Sequence, residues 1–177
     1  MSRLDRILAE FKRTVSLPWK TNLAGPQRVW MVVYDPADER RLRARLGEFE
    51  LAAQEAEHPF TLCDLTDSFP AWMAAQEYLE DYFEDPEDLE LVLPEFLDFA
   101  ADQVRAVMQR GDDNTLLAVL GVGALFGFIR VSELLNELHK DIQGRLVVFF
   151  PGNLHGNTYR LLDARDGWNY LAVPITA

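Results

Sequence analysis

Arg28-Val29-Trp30-Met31-Val32-Val33-Tyr34, followed at once by Asp35-Pro36-Ala37-Asp38, decides the fold. The first seven residues are apolar on both faces of an extended chain, the pattern of a central parallel strand covered on both sides. The next four read as a helix start. Asp35 suits the cap and Pro36 the first helical position, where its missing N–H costs nothing. A buried strand running straight into a helix is half of a β-α-β unit, and the same grammar repeats along the chain. Phe60 to Leu65, Thr115 to Leu120 and Arg145 to Phe150 read as three further strands. Between them lie helical patterns over 36–56, 68–83, 87–110 and 131–142. Asp67 or Ser68 can cap the second of these, and Pro94 can kink or restart the third.

The ends fit the same plan. Leu4, Ile7, Leu8 and Phe11 recur at helical spacing, so residues 2–16 form an amphipathic helix that Pro18 ends. Pro151-Gly152 is read as the stop of the fourth strand. The tail reads as two short strands, Tyr159 to Asp163 and Asn169 to Ile175, around the turn Ala164-Arg165-Asp166-Gly167. Strands alternating with helices predict an α/β fold in three layers, with a mostly parallel central sheet flanked by helices. No linker, repeat or low-complexity segment divides the 177 residues, so 1–177 is read as one domain.

Charge is unevenly spread. The net charge is −12, from 17 basic and 29 acidic residues. Leu46 to Val104 contains no lysine or arginine and carries 17 of the acids, leaving a surplus of five positive charges elsewhere. The densest stretch, Glu80 to Glu90, is interleaved with Tyr78, Tyr82 and Phe83. Solvated helix faces have this composition. So do docking surfaces for basic partners, in which aromatic anchors sit inside a charged rim. Tyr78, Tyr82, Phe83 and Glu84 are therefore candidate partner-binding residues. Such a surface repels phosphates, so nucleic acid is not expected on it. Arg40, Arg41, Arg43 and Arg45 share one helix and are expected to pair with Asp38, Glu39 and Glu48.

No apolar run reaches the roughly 18 residues of a membrane span. Residues 1–8 show no apolar leader core, so a secretory signal is not expected. The single cysteine, Cys63, is read as a small buried hydrophobe in a reducing compartment.

Two constellations are chemically suggestive. Gly121-Val122-Gly123-Ala124-Leu125-Phe126-Gly127 lies between a strand and a helix, where backbone N–H groups can meet a phosphate. It lacks the Gly-Lys-Ser/Thr of a P-loop and the third glycine of a dinucleotide fingerprint. Close packing is its favoured role. Arg130 is the one local residue that could grip an anion, or else pair with a nearby acid. The second constellation is the polar segment 152–160, just past the fourth strand, offering Asn153, His155, Asn157 and Arg160 for a partner or an anion. No nucleophile or acid-base set accompanies it. His58, His139 and His155 have no metal spacing. No catalytic residue, cofactor or metal is assigned from the sequence.

Several of these segments together resemble the BrxB family, a small component of the bacteriophage exclusion (BREX) defence systems. They are Arg28-Val29-Trp30 with Tyr34-Asp35-Pro36, and Gly121-x-Gly123-Ala124-Leu125-Phe126 with Arg130-Val131-Ser132-Glu133-Leu134-Leu135. The third is Val148 to Gly152 with Gly156-Asn157 and Tyr159-Arg160-Leu161-Leu162. The resemblance spans essentially the whole chain and is strongest at 28–46 and 121–177. Gly127 stands where many relatives have a proline, and Asn169 to Val173 where many have a Tyr-Tyr-Arg segment. The resemblance implies a nucleotide-binding type of α/β core without Walker motifs, and a cytoplasmic antiviral component encoded beside a methyltransferase, a large ATPase and a PglZ-like protein. It implies a non-catalytic adapter or regulator that binds the PglZ-like protein and other BREX components, without membrane or direct nucleic-acid contact, with self-association left open. A degenerate nucleotide or phosphate sensor is the alternative, and a hydrolase is disfavoured.

Overall fold

A computed structural model describes residues 1–162, 164–166 and 171–177. The chain builds a five-stranded parallel sheet and a short antiparallel extension. In chain order the strands are β1 (Val29–Tyr34), β2 (Phe60–Asp64), β3 (Leu116–Leu120), β4 (Arg145–His155), β5 (Thr158–Leu161), β6 (Ala164–Arg165) and β7 (Val173–Ile175). The parallel order is β2-β3-β4-β1-β7. The fold is the three-layer α/β arrangement that the strand and helix patterns predict.

Among the described residues seven α-helices accompany the sheet: α1 (Arg3–Ser16), α2 (Glu39–Ala44), α3 (Leu46–Glu55), α4 (Ser68–Ala74), α5 (Leu79–Glu84), α6 (Leu93–Met108) and α7 (Val131–Leu138). Every residue of β1 and β3 is buried. Successive side chains feed two cores. Val29, Met31 and Val33 join Phe96, Val104, Leu134 and Leu138 under α4, α6 and α7. Trp30, Val32 and Tyr34 join Leu4, Phe11, Leu42 and Phe49 under α1 to α3. The aromatic packing is edge to face: Phe11 meets Phe49 at 5.1 Å between ring centres, and Phe49 meets Phe149 at 5.1 Å.

Several boundaries differ from the sequence reading. The helix expected over 36–56 is a 3-10 turn, then α2 and α3, with the break at Arg45. Asp35 does cap it, accepting the N–H of Ala37 at 2.9 Å. The helix expected over 68–83 breaks after Ala74, and neither Asp67 nor Ser68 caps α4 through its side chain. The helix expected from 87 is a 3-10 turn over Pro86–Leu91, and α6 begins at Leu93 with Pro94 in its first turn. β2 is an edge strand and not a fully buried one: Leu62 is 44% exposed, although Cys63 is buried. Burial pushes the Cys63 thiol up to about 11, which keeps it protonated.

The largest difference is β4. Pro151-Gly152 does not stop it; the strand runs on to His155 and turns at Gly156 into antiparallel β5. Pro151 is tolerated because it lies beyond Val148, the last residue of β4 paired with β3. Gly152 is required: a Cβ there would lie 1.9 Å from the carbonyl oxygen of Arg160. In the tail, Ala164-Arg165 is a strand and not a turn, and β7 covers only Val173–Ile175. Asp163, Gly167, Asn169 and Tyr170, on which parts of those expectations fall, lie outside the described residues.

Two glycine substitutions separate close approach from mere helix weakening. Gly152→Ala is expected to cost at least about 3 kcal/mol, because backbone must move to admit the methyl group. Gly47→Ala, on α3 with open space around it, is expected to stabilise by about 0.5–1 kcal/mol. Urea unfolding midpoints check both.

Candidate functional site

Open α/β sheets take ligands beyond the carboxyl ends of their strands, where neighbouring connections leave for opposite faces. Here β1 leaves toward α2 and α3, whereas β2 and β3 leave toward α4 and α7. Each loop at that edge is held by the chain's own side chains.

Arg43 is the first clasp. Its guanidinium donates to Glu39 Oε1 at 2.6 Å, Asp64 Oδ2 at 2.8 Å and Thr66 Oγ1 at 2.9 Å. Tyr34 donates its phenol proton to the other oxygen of Glu39. Burial and this neighbouring carboxylate push the Tyr34 hydroxyl well above its ordinary range. Burial works against the Asp64 charge, but hydrogen bonds from Arg43 and Thr66 outweigh it and hold the carboxyl below its usual range. The clasp also explains the first loop glycine. Gly121 has a φ of +76°, and a Cβ would lie 2.4 Å from the Thr66 nitrogen and 2.6 Å from Asp64 Oδ1. The glycine loop is packed against the β2 turn, as close packing requires. Three of the four arginines pair as expected, Arg41 with Asp38, Arg43 with Glu39 and Arg45 with Glu48, whereas Arg40 makes no ion pair among the described residues. Arg45 also reaches Asp5 of α1 at 2.8 Å.

Asp166 is the second clasp. Its carboxylate accepts the N–H of Val131 at 2.8 Å and of Ser132 at 2.6 Å, the opening residues of α7. The Ser132 hydroxyl donates to the Asp166 carbonyl oxygen at 2.9 Å. Glu133 accepts the N–H of Arg130 at 2.9 Å. Thus the helix N-terminus that follows the glycine loop, the position of a phosphate in nucleotide-binding relatives of this architecture, already holds an internal carboxylate. Asp166 is buried, and burial raises its pKa despite the hydrogen bonds and the nearby Arg130 charge. Arg130 itself is exposed and its side chain makes no ion pair among the described residues.

The segment 152–160 is a β-hairpin. Asn153 lies opposite Arg160, and His155 opposite Thr158. Asn153, His155, Asn157 and Arg160 are all exposed. Leu154 packs on the core that holds Tyr159 and Leu161, and burial pushes the Tyr159 hydroxyl up to about 12. None of the four lines the groove beside Arg130. That groove, about 550 Å³, runs between residues 126–130 and Leu161, Ala164, Arg165 and Asp166.

The acidic stretch contains no buried side chain from Leu79 to Leu91. One turn of α5 divides its aromatics. Tyr82 is half-buried against the core, whereas Phe83 is 71% exposed. Tyr78 is 58% exposed, and Leu91, which the sequence reading did not single out, 80%. Glu84 and the neighbouring acids are exposed around them.

The sequence reading also missed Trp19. It stacks flat on His58 at 3.5 Å between ring centres, with the Arg145 guanidinium 4.9 Å from its ring centre. Arg145 is 5% exposed and donates to main-chain carbonyls of Gly144 and Lys20. Residues 19, 58 and 145 are too far apart in sequence for any local pattern to join them. Among the described residues no three His, Cys, Asp or Glu side chains converge on a metal position. No helix among them is long and apolar enough to cross a membrane.

A family model for the BREX protein BrxB matches residues 72–175, more than half of the chain. The chain belongs to the BrxB family. No curated protein and no solved structure matches it. Membership makes the chain a component of BREX phage defence, and the matched span contains the acidic stretch, the glycine loop, the hairpin and Asp166. Gly127 has a φ of +84°, a conformation closed to proline.

Asp166→Ala leaves the N–H groups of Val131 and Ser132 without their acceptor and is expected to cost about 2 kcal/mol. The folded pKa is raised, so the Asp166 contribution is fully present below the ordinary value of 3.8 and falls as pH rises through the folded value. The stability gap between native and variant protein is therefore expected to be wider near pH 4 than at pH 7. Urea titrations at the two pH values measure it.

Proposed function

We propose that this BrxB-family chain is a non-catalytic adapter or regulator of a BREX assembly in the cytoplasm, and that it docks the PglZ-like protein of its own system. The carrying observation is the surface of α5 and the following 3-10 turn. Tyr78, Phe83 and Leu91 stand exposed in a stretch without one basic side chain. Apolar anchors within a charged rim are how partner surfaces gain affinity at the centre and selectivity at the edge. The partner face it fits is basic, with pockets for an aromatic and an aliphatic side chain. Dense negative charge keeps nucleic acid off this face. His155, Asn157, Asn153 and Arg160 on the hairpin form a second, polar contact region of the same assembly.

Two observations support a role without chemistry. Two of the turns at the carboxyl edge of the sheet are filled by the Arg43 and Asp166 clasps, and the cavity of about 240 Å³ beside Tyr34, Asp35, Asp38 and Asn153 brings together no nucleophile with an acid-base pair. The polar residues of the hairpin are exposed on its two strands and its turn, and none of them lines the groove beside Arg130. The nucleotide-sensor reading loses ground for the same reason, since a phosphate at α7 would have to displace Asp166.

The test is binding between the purified chain and the PglZ-like protein of the same system. Phe83→Ser with Leu91→Ser is expected to weaken it by about 2 kcal/mol, roughly 30-fold. Affinity is expected to fall with added salt, and Glu80→Lys with Glu84→Lys to remove most of that dependence. Binding that ignores all four substitutions contradicts the proposed surface. Absence of binding at low salt contradicts the proposed partner.

A further inference from the structure

We propose that the groove between residues 126–130 and the β5–β6 extension is a second docking site, for an extended acidic segment of a partner protein that carries an apolar anchor residue. The groove measures about 550 Å³, within the range of sites that enclose side-chain-sized ligands. Its floor is apolar: Ile129 and Leu161 are buried, and Phe126 is 43% exposed although it follows a buried stretch of core. Its rim is cationic. Arg130 and Arg165 line it and are both exposed. Neither guanidinium makes a hydrogen bond or ion pair among the described residues.

The two acids in the walls spend their oxygens on main-chain N–H groups, although the Asp166 charge is felt by Arg130. Glu133 accepts the N–H of Arg130, and Asp166 accepts two N–H groups of α7. Two exposed guanidiniums, without an ion pair among the described residues, lie over an apolar floor and attract carboxylates, which they can grip through forked pairs of N–H donors. A compact phosphate fits poorly. The helix N-terminus that would hold it is filled, and the Asp166 charge lies in the same wall. An extended chain avoids that conflict by placing its acids at the rim and an aliphatic or aromatic side chain on Phe126. β6 adds a main-chain contribution. Among the described residues it pairs with β5, and an extended peptide running along it could add main-chain hydrogen bonds.

This site is opposite in sign to the α5 surface and independent of it. A chain with both can hold a basic face and an acidic segment at once. The groove reading survives even if the PglZ-like protein binds elsewhere.

The test uses a fluorescein-labelled twelve-residue probe of alternating Asp/Glu and Leu/Phe, titrated with the full chain and read by anisotropy at about 50 mM salt. Binding with a dissociation constant of about 1–100 μM is expected. Arg130→Glu with Arg165→Glu is expected to weaken it at least about tenfold, and Phe126→Ser several-fold. Phe83→Ser, on the α5 surface, leaves it unchanged. Both arginines are exposed, so thermal melting of the double variant stays near that of the native chain. The single variants Arg130→Gln and Arg165→Gln carry the test if it does not. No binding at millimolar protein, equal binding by the arginine variants, or displacement by inorganic phosphate in place of acidic peptide would each overturn the proposal.

Discussion

β4 is hydrogen-bonded to three other strands, and the rest of the molecule is arranged around that demand. Over its first half it pairs with β3 on one side and β1 on the other, buried on both faces. A strand so enclosed must satisfy its main chain wherever it goes. Beyond Val148 it outruns β3, and the chain folds back as β5 to supply the missing partners. Gly152 permits this, because only a residue without Cβ lets the returning Arg160 carbonyl approach so closely. The return carries β6 and then Asp166 to the head of α7. The extension of one strand thereby sets what fills the sheet's usual ligand position.

That filling explains how an architecture known for nucleotide binding can belong to a family that works within a phage-defence assembly. The dipole and free N–H groups at the start of α7 are real attractions for an anion. They are answered from within the chain by Asp166, just as the β1 and β2 turns are answered by Arg43. What the molecule leaves unanswered lies elsewhere. The α5 region exposes Phe83 and Leu91 among acids, and the groove beside α7 exposes two arginines over an apolar floor. Exposed apolar side chains gathered with charge of one sign are costly to keep in water unless a partner covers them. Surfaces of opposite sign suit a protein that bridges.

Much of this was legible in the sequence, and the failures have physical causes. The runs Val29–Tyr34 and Leu116–Leu120 announced buried parallel strands because no polar residue interrupts either face. The period of Leu4, Ile7, Leu8 and Phe11 gave α1, and the arginine pairs of α2 followed from helical spacing. Phe60 to Leu65 misled because a short stretch with apolar residues on both faces reads alike at an edge and at the centre; Leu62 is exposed all the same. Pro151-Gly152 looked like a stop, since proline usually ends a ladder. It is admitted where β3 has already ended, while Pro151 stays in register with Tyr34 of β1. Asp166 was invisible as a cap because capping signals are sought within three residues and this one comes from 34. Tyr82 and Phe83 carried the same expectation, and one step of about 100° around a helix sent them to opposite fates.

The phosphate position of the fold is occupied by the chain's own Asp166 carboxyl group, and it is on this that the proposed role through surfaces rests. The most direct measurement is thermal unfolding of the purified chain in millimolar nucleoside triphosphate or inorganic phosphate. A ligand at about 100 times its dissociation constant adds about 2.7 kcal/mol, which for a chain of this size raises the midpoint by about 5–10 °C. The expected result is no rise with either ligand. A rise of that size in the native chain would contradict it.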